Sequence, residues 1–183
     1  MDLVRSLAEL EQNTDLHAAR LLVLINEFAG SDGTGHVEGL TKLAKLDFLL
    51  RYPVMLTRAL AAKGKPTESV QLQEFEQRSV ESKMVRYRFG PWDHRYRLLL
   101  NTLIARGLAT VTIEGRTLAI GITPRGTAIA SSLACDGFID VARRAKILHR
   151  DFDIKATHLM KFVYATFPEL LSMRQNEVID LEA

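Results

Sequence analysis

The side chains best suited to chemistry lie in RYRFGPWDHRYR, residues 86–97, which combines four arginines with four aromatic residues. Guanidinium groups bind phosphate and aromatic rings stack on bases, so this mixture is typical of a nucleic-acid contact. The alternative is a set of solvated charges with ion pairs to Asp93 or Glu81, with Trp92 as a core anchor. The candidate nucleic-acid or partner contacts are Arg86, Arg88, Trp92, Arg95, Arg97 and, further along the chain, Arg116.

Residues that could carry catalysis are present only singly. An enzyme needs a convergent set of nucleophile, base and electrophile, and no such set is recognisable. His149, Arg150 and Asp151 match a kinase triplet, but no glycine-rich ATP loop accompanies them. The histidines, at positions 17, 36, 94, 149 and 158, lack the spacing of a helical metal pair. We therefore predict a binding protein, not an enzyme, with no cofactor or metal.

The overall composition limits the compartment and the kinds of partner that we expect for the protein. The chain has 183 residues, of which 47% are hydrophobic, and a net charge of +2, which is too small for binding DNA by overall electrostatics. The single cysteine, Cys135, forms neither an internal disulfide nor a cysteine-based metal site, which indicates a reducing compartment. No apolar run is long enough to span a bilayer and no signal segment is recognisable. We expect a cytoplasmic protein without a membrane partner.

Helical periodicity dominates the first half of the chain. Residues 15–29 predict a buried helix that Asp15 caps and Gly30 ends. Residues 39–53 predict an amphipathic helix that stops before Pro53, with a further helical segment to Leu60. In the helix predicted over residues 39–53, the inward positions are Leu43, Leu46, Leu49 and Leu50, and the outward positions are Lys42 and Lys45. The polar residues 63–82 predict a long excursion with a weak helix at residues 70–77.

The second half alternates between strand and helix signals. Residues 83–89 alternate as a strand that ends at Gly90-Pro91, with Val85, Tyr87 and Phe89 on one face and Arg86 and Arg88 on the other. A helix capped by Asp93 then runs over residues 93–106. Two alternating runs joined around Glu114, Gly115 and Arg116 predict a hairpin, and Thr123 and Pro124 start another helix.

This succession of elements resembles a winged helix, in which the hairpin is the wing and residues 93–106 are the recognition helix. The resulting fold class is mainly α with a small β component, with a winged helix-turn-helix core and additional N- and C-terminal helices. The predicted parts are an N-terminal helical region (1–62), a polar connecting excursion (63–82), the winged-helix core (83–134) and a C-terminal helical region (135–183). We expect them to form one compact unit.

Several short motifs together resemble a known family. They are a Leu-Lys-rich helix ending in Tyr52-Pro53, the sequence YRFGPW at residues 87–92, the Thr-Pro helix start and Phe-Pro-Glu-Leu at residues 167–170. Over residues 15–180 the chain is similar to the middle components of bacterial three-component ABC-ATPase (ABC-3C) conflict systems, including the small accessory subunit of Lamassu anti-phage defence. The resemblance implies a non-enzymatic winged-helix subunit that binds an SMC-like ABC ATPase beside an effector, often a nuclease, and helps to sense DNA.

The pattern of apolar and basic residues on the predicted surface leaves both DNA and a protein open as the partner. The outward positions of the predicted recognition helix suit DNA, whereas Leu98 and Ile104 widen its apolar surface and favour a protein partner. The C-terminal helices offer further apolar residues for partner docking: Leu159, Phe162, Tyr164 and Phe167. The first hypothesis is the accessory subunit, with DNA contact that ignores sequence. The alternatives are a dimeric winged-helix transcription regulator and an antitoxin-like regulator.

Overall fold

A computed structural model describes residues 13–77, 83–88 and 90–180. Helices make up most of it, with one three-stranded and one two-stranded antiparallel sheet, so the predicted mainly α class with a small β component is confirmed. In chain order the elements are α1 (Thr14–Ala29), β1 (Val37–Glu38), α2 (Gly39–Arg51), α3 (Pro53–Ala62), β2 (Val85–Tyr87), β3 (Gly90–Trp92), α4 (Tyr96–Ala105), β4 (Ala109–Glu114), β5 (Thr117–Ile122), α5 (Pro124–Cys135), α6 (Ile139–Phe152), α7 (Ala156–Thr166) and α8 (Glu169–Ser172).

Helix α1 lies at the centre of the molecule, in contact with α4, α5, α6 and β5. It is apolar over most of its circumference because it is covered on several sides, and Leu21, Leu24 and Ile25 are fully buried. Its first turn is capped by Asn13, whose side-chain oxygen accepts hydrogen bonds from the backbone N–H groups of Asp15 and Leu16. The predicted helix is confirmed, but the capping residue is Asn13 instead of Asp15.

Helix α2 is also enclosed, between α6, α7, the two sheets and α3. The prediction that Lys42 and Lys45 point outward is therefore wrong: these side chains belong to residues that are only 4% and 1% exposed. The amphipathic pattern of the sequence is misleading here because neighbouring elements cover the polar face of the helix as well as its apolar face. The Lys42 ammonium lies 2.6 Å from the Asp153 carboxylate, which offsets its burial.

Strands β2 and β3 form a tight hairpin, with Tyr87 paired to Gly90 and Val85 paired to Trp92. Gly90 and Pro91 belong to the returning strand, so the prediction that they end the first strand is wrong. Gly90 has a φ of +112°, a backbone conformation that favours glycine. Phe89, predicted on the buried face, lies outside the described residues. The outer edge of β2 pairs with the C-terminal segment, since the Arg86 N–H donates to the Glu177 carbonyl at 2.8 Å.

The three-stranded sheet has the order β1-β5-β4 and is antiparallel throughout. Its long hairpin turns at Gly115 and Arg116, where Gly115 has a φ of +63°, and the predicted hairpin is confirmed. The next helix, α5, starts as predicted: the Thr123 hydroxyl accepts from the Gly126 N–H at 2.9 Å, and Pro124 occupies the first turn. A Cβ on Gly126 would lie 2.0 Å from the Leu108 carbonyl oxygen, so only glycine fits this crossing.

The polar excursion is ordered where the structure describes it. Two short 3₁₀ turns, Glu68–Val70 and Phe75–Gln77, replace the weak α-helix predicted over residues 70–77. Arg144 on α6 holds them, because its guanidinium donates to the Val70 carbonyl at 3.1 Å and to both Glu76 carboxylate oxygens at 2.7 Å. Val70 is fully buried, and one hydrophobic cluster extends from α1 to Ile179.

Candidate functional site

Helix α4 buries one face and presents a mixed outer face. Arg97, Asn101 and Ile104 are exposed at positions i, i+4 and i+7, and therefore share a row on the helix surface. Leu98, in the neighbouring row, is 55% exposed and Ile104 is 41% exposed. The β4–β5 hairpin continues this character, with Ile113 at 77% exposure and Arg116 exposed in the turn. Both elements thus combine apolar and basic groups.

The arginines of RYRFGPWDHRYR differ in their surroundings. Arg86 is half-buried, and its guanidinium donates to the Leu170 carbonyl at 3.3 Å. Arg95 makes a two-point ion pair with Asp93, at 3.0 and 2.7 Å, as the alternative interpretation of the sequence predicted. Arg88 and Arg97 are exposed. The predicted four-arginine patch is thus divided by exposure: Arg86 and Arg95 are half-buried and bind groups of the chain itself, whereas Arg88 and Arg97 are exposed.

Trp92 is half-buried between two tyrosine rings. Its ring stacks near Tyr87 at a centroid distance of 5.9 Å and meets Tyr96 edge-on at 5.3 Å. It packs against the hydrophobic core, as expected for a core anchor, and also lines a cavity. The tryptophan therefore links the hairpin to α4.

A cluster of buried charges holds these elements together. The Asp47 carboxylate on α2 accepts from Arg20 at 2.9 Å, Arg51 at 2.8 Å and the Tyr96 hydroxyl at 2.8 Å. Arg51 also donates to Asp93, at 2.8 Å, so the cluster joins α1, α2 and the start of α4. Burial alone would raise the pKa of Asp47, but the charges of Arg20 and Arg51 outweigh burial and lower it. The same balance, with Arg95 and Arg51 as partners, lowers the pKa of Asp93.

Sequence reasoning missed this charge cluster. Two signals were available: Asp47 and Arg51 stand at i, i+4 on a helix, and Arg20 directly precedes the apolar run LLVLI. A charge placed within buried helical positions requires a partner. The sequence did not show that Arg20 and Asp47, which are 27 positions apart, are that pair.

A cavity of about 530 Å³ lies between α2, the β2–β3 hairpin and the first turn of α4. Aromatic and aliphatic groups form part of its wall, and Lys45, His94 and Arg97 supply nitrogen atoms. Lys45 is the most deeply buried of these three residues. Burial lowers the pKa of the Lys45 ammonium to about 8, which leaves it mostly charged at neutral pH.

The predicted docking residues of the C-terminal helices are mostly inside the molecule. Leu159 and Phe167 are fully buried, and the Phe167 ring packs edge-on against Phe48 at 5.7 Å. They do not form the exposed surface that the sequence predicted, because α7 packs on α2 and α3. Phe162 and Tyr164 are half-buried, and Phe162 contacts Phe152 at 5.6 Å.

The remaining candidates for chemistry stay dispersed. His149 packs against the Phe28 ring at 5.0 Å, and Arg150 pairs with Asp151 at 2.6 Å, which makes the kinase-like triplet a helix-end cluster. Within residues 13–77, 83–88 and 90–180, no three metal-ligating side chains of His, Cys, Asp or Glu converge. None of the helices within these ranges could span a lipid bilayer.

Comparison with models of protein families, with curated proteins and with solved structures found no significant match to this chain.

Proposed function

We propose that the protein is a non-catalytic winged-helix accessory subunit that binds a larger protein through α4 and the β4–β5 hairpin. Three features support the winged-helix assignment. The sheet order is β1-β5-β4, α4 directly precedes the long hairpin, and α1 packs against α4, α5 and β5. In this interpretation α4 is the recognition helix and β4–β5 is the wing, while α3 and the β2–β3 hairpin are an insertion before the recognition helix.

The exposed apolar residues of the recognition helix and wing carry the preference for a protein partner. Leu98, Ile104 and Ile113 are 55%, 41% and 77% exposed on the two elements that winged helices use for binding. Apolar side chains in the centre of a protein interface are buried favourably, whereas a DNA groove offers them few partners beyond the thymine methyl group. A protein partner therefore fits this surface better than a DNA groove does.

The family resemblance suggests which partner this is. We propose an SMC-like ABC ATPase in a bacterial anti-phage defence complex, with a separate effector such as a nuclease. Arg88, Arg97 and Arg116 are exposed and would add phosphate contacts to double-stranded DNA held by the complex. Because contacts to phosphate carry no base information, this DNA binding would be salt-sensitive and indifferent to sequence.

Expression with the native operon, followed by mild affinity capture and mass spectrometry, tests the proposal. We expect a large coiled-coil ATPase to elute with the wild-type chain and to be lost from a Leu98→Glu, Ile104→Glu double variant. Leu171→Glu is the matched control, since Leu171 is also 55% exposed but lies on α8. Absence of the ATPase, or its equal loss from both variants, would overturn the proposal.

The second candidate is a dimeric winged-helix transcription regulator. Arg97 and Asn101 share a row on α4, and Arg116 lies at the hairpin turn, as base and phosphate contacts of a DNA reader would. Such a regulator binds its operator about a thousandfold or more tightly than random DNA. An Arg97→Glu, Arg116→Glu variant would then lose operator binding, and the purified chain alone would be a dimer. An antitoxin-like regulator shares these expectations and would be recovered with a toxin.

A further inference from the structure

Lys45 on α2 is a deeply buried cation. Its residue is 1% exposed, and within the described part of the chain its ammonium donates a single long hydrogen bond, 3.3 Å, to the Thr41 carbonyl of its own helix. Among the residues that the structure describes, no carboxylate lies within ion-pair distance of it. Lys42, one turn earlier, has Asp153 at 2.6 Å. An ammonium in such a place is costly unless something else supplies the negative charge.

The cavity at Lys45 has the walls of a ligand site. Lys45 lies at the β3 side of the cavity, with Nζ 3.9 Å from the point that a Cβ on Gly90 would occupy. Arg97 and His94, from α4 and the segment before it, line the same cavity. The described lining contains no aspartate or glutamate, so the cavity concentrates positive potential.

The remaining wall suits a flat apolar group. Trp92 and Tyr87 contribute aromatic rings, and Leu40 and Ala44 contribute aliphatic surface. The volume of about 530 Å³ lies in the range that small-molecule sites occupy. Aromatic walls with a few convergent charged groups are the usual composition of such sites.

We propose that this cavity binds a small planar organic anion, whose phosphate or carboxylate pairs with Lys45 and Arg97 while its ring packs against Trp92. This goes beyond the proposed partner binding, because Lys45 lies inside the molecule and the exposed apolar residues of α4 take no part. A ligand here would contact α2, the β2–β3 hairpin and α4 together. It would supply the negative charge that Lys45 lacks among its described neighbours.

Intrinsic fluorescence provides a direct test, because Trp92 is the only tryptophan of the chain. The purified chain is titrated near neutral pH and low salt with two matched pairs of probes, adenosine monophosphate against adenosine and benzoate against benzamide. We expect a saturable change in Trp92 emission with at least one anion and at least about tenfold weaker binding of its neutral counterpart. A stronger response to the nucleotide would identify a phosphate ligand, and a stronger response to benzoate a carboxylate ligand. No saturable response, or equal binding of charged and neutral probes, would overturn the proposal.

Two variants assign the response to the cavity. Lys45→Met keeps the aliphatic stem and removes the charge, so affinity for the anion should fall at least about tenfold. Lys161→Met, at an exposed position of α7, should bind as the wild type does. If Lys45→Met does not fold, Arg97→Met provides the same test at an exposed residue and should weaken anion binding severalfold. Undiminished affinity in the folded variant would refute the assignment.

Discussion

Asp47 and Lys45 are two positions apart on α2 and both are buried, but the number of groups that bind their charges differs. Asp47 accepts hydrogen bonds from two arginines and a tyrosine, which bring α1 and α4 onto α2. Among the residues with a described position, Lys45 has only the Thr41 carbonyl of its own helix as a hydrogen-bond partner, and it faces a cavity. A buried charge with several partners fixes the arrangement of elements, whereas a buried charge with one weak partner leaves bonding capacity for a molecule from outside.

The largest expected effect comes from removing the shared anion of the buried cluster. Asp47→Ala leaves Arg20 and Arg51 buried without this carboxylate, and we expect the free energy of unfolding to fall by about 3–5 kcal/mol. Urea unfolding followed by circular dichroism measures it. Asp47→Asn, which keeps the shape, should lose less than Asp47→Ala. A loss below about 1 kcal/mol for Asp47→Ala would show that the cluster does not hold the fold.

Removing the buried charge of Lys45 should change the free energy of unfolding in the opposite direction. Lys45→Met deletes an ammonium with little compensation, so we expect the variant to be more stable than the wild type at neutral pH by about 1–3 kcal/mol. The same unfolding measurement applies, without any added anion. A clear loss of stability would mean that the Lys45 charge contributes to the fold, and the contrast with Asp47 would disappear.

The pH dependence of stability provides a further test of the contrast between Lys45 and Asp47. Burial lowers the pKa of Lys45 from 10.5 to about 8, so between these pH values the unfolded chain binds more protons than the folded chain. Stability contributed by this group therefore rises with pH across that window, by at most about 1.4 kcal/mol per pH unit. The advantage of Lys45→Met should shrink between pH 8 and 10.5. His94 in the cavity lining and the Tyr164 hydroxyl, which like Lys45 Nζ lies within 4 Å of the point that a Cβ on Gly90 would occupy, are present in both proteins and largely cancel in the difference. A constant difference over this range would contradict the assignment.

The smallest effect is expected for an exposed ion pair. Arg106 at the end of α4 lies 2.8 Å from Asp15 on α1, with side chains 55% and 67% exposed. A double-mutant cycle with Asp15→Asn and Arg106→Gln should give a coupling of about 0.2–1 kcal/mol, because solvent screens the pair. A coupling energy as large as the loss of about 3–5 kcal/mol expected for Asp47→Ala would mean that burial is not what separates the two classes of charge.

Local signals in the sequence predicted much of the fold. The Thr123-Pro124 helix start, the hairpin around Gly115 and the helix that ends at Gly30 each depend on residues close in sequence, and each was confirmed. The charge cluster was not predictable in the same way, because Arg51 meets Asp93 across 42 positions. The prediction that the Lys45 side chain points outward was wrong for the same reason. Residues of β3 and α7, which are remote in sequence, cover the polar face of α2.

The anchoring of the polar excursion by Arg144 has a consequence for motion. The guanidinium donates to carbonyl and carboxylate groups of Val70, Gln71 and Glu76, about seventy positions earlier in the chain. We expect such a segment to open as a small cooperative unit that depends on the Arg144 hydrogen bonds and on the burial of Val70, with a free energy of opening below that of global unfolding. Amide hydrogen exchange around Val70 would then be faster when the Arg144 side chain is removed, while the central helix would exchange only when the whole molecule unfolds.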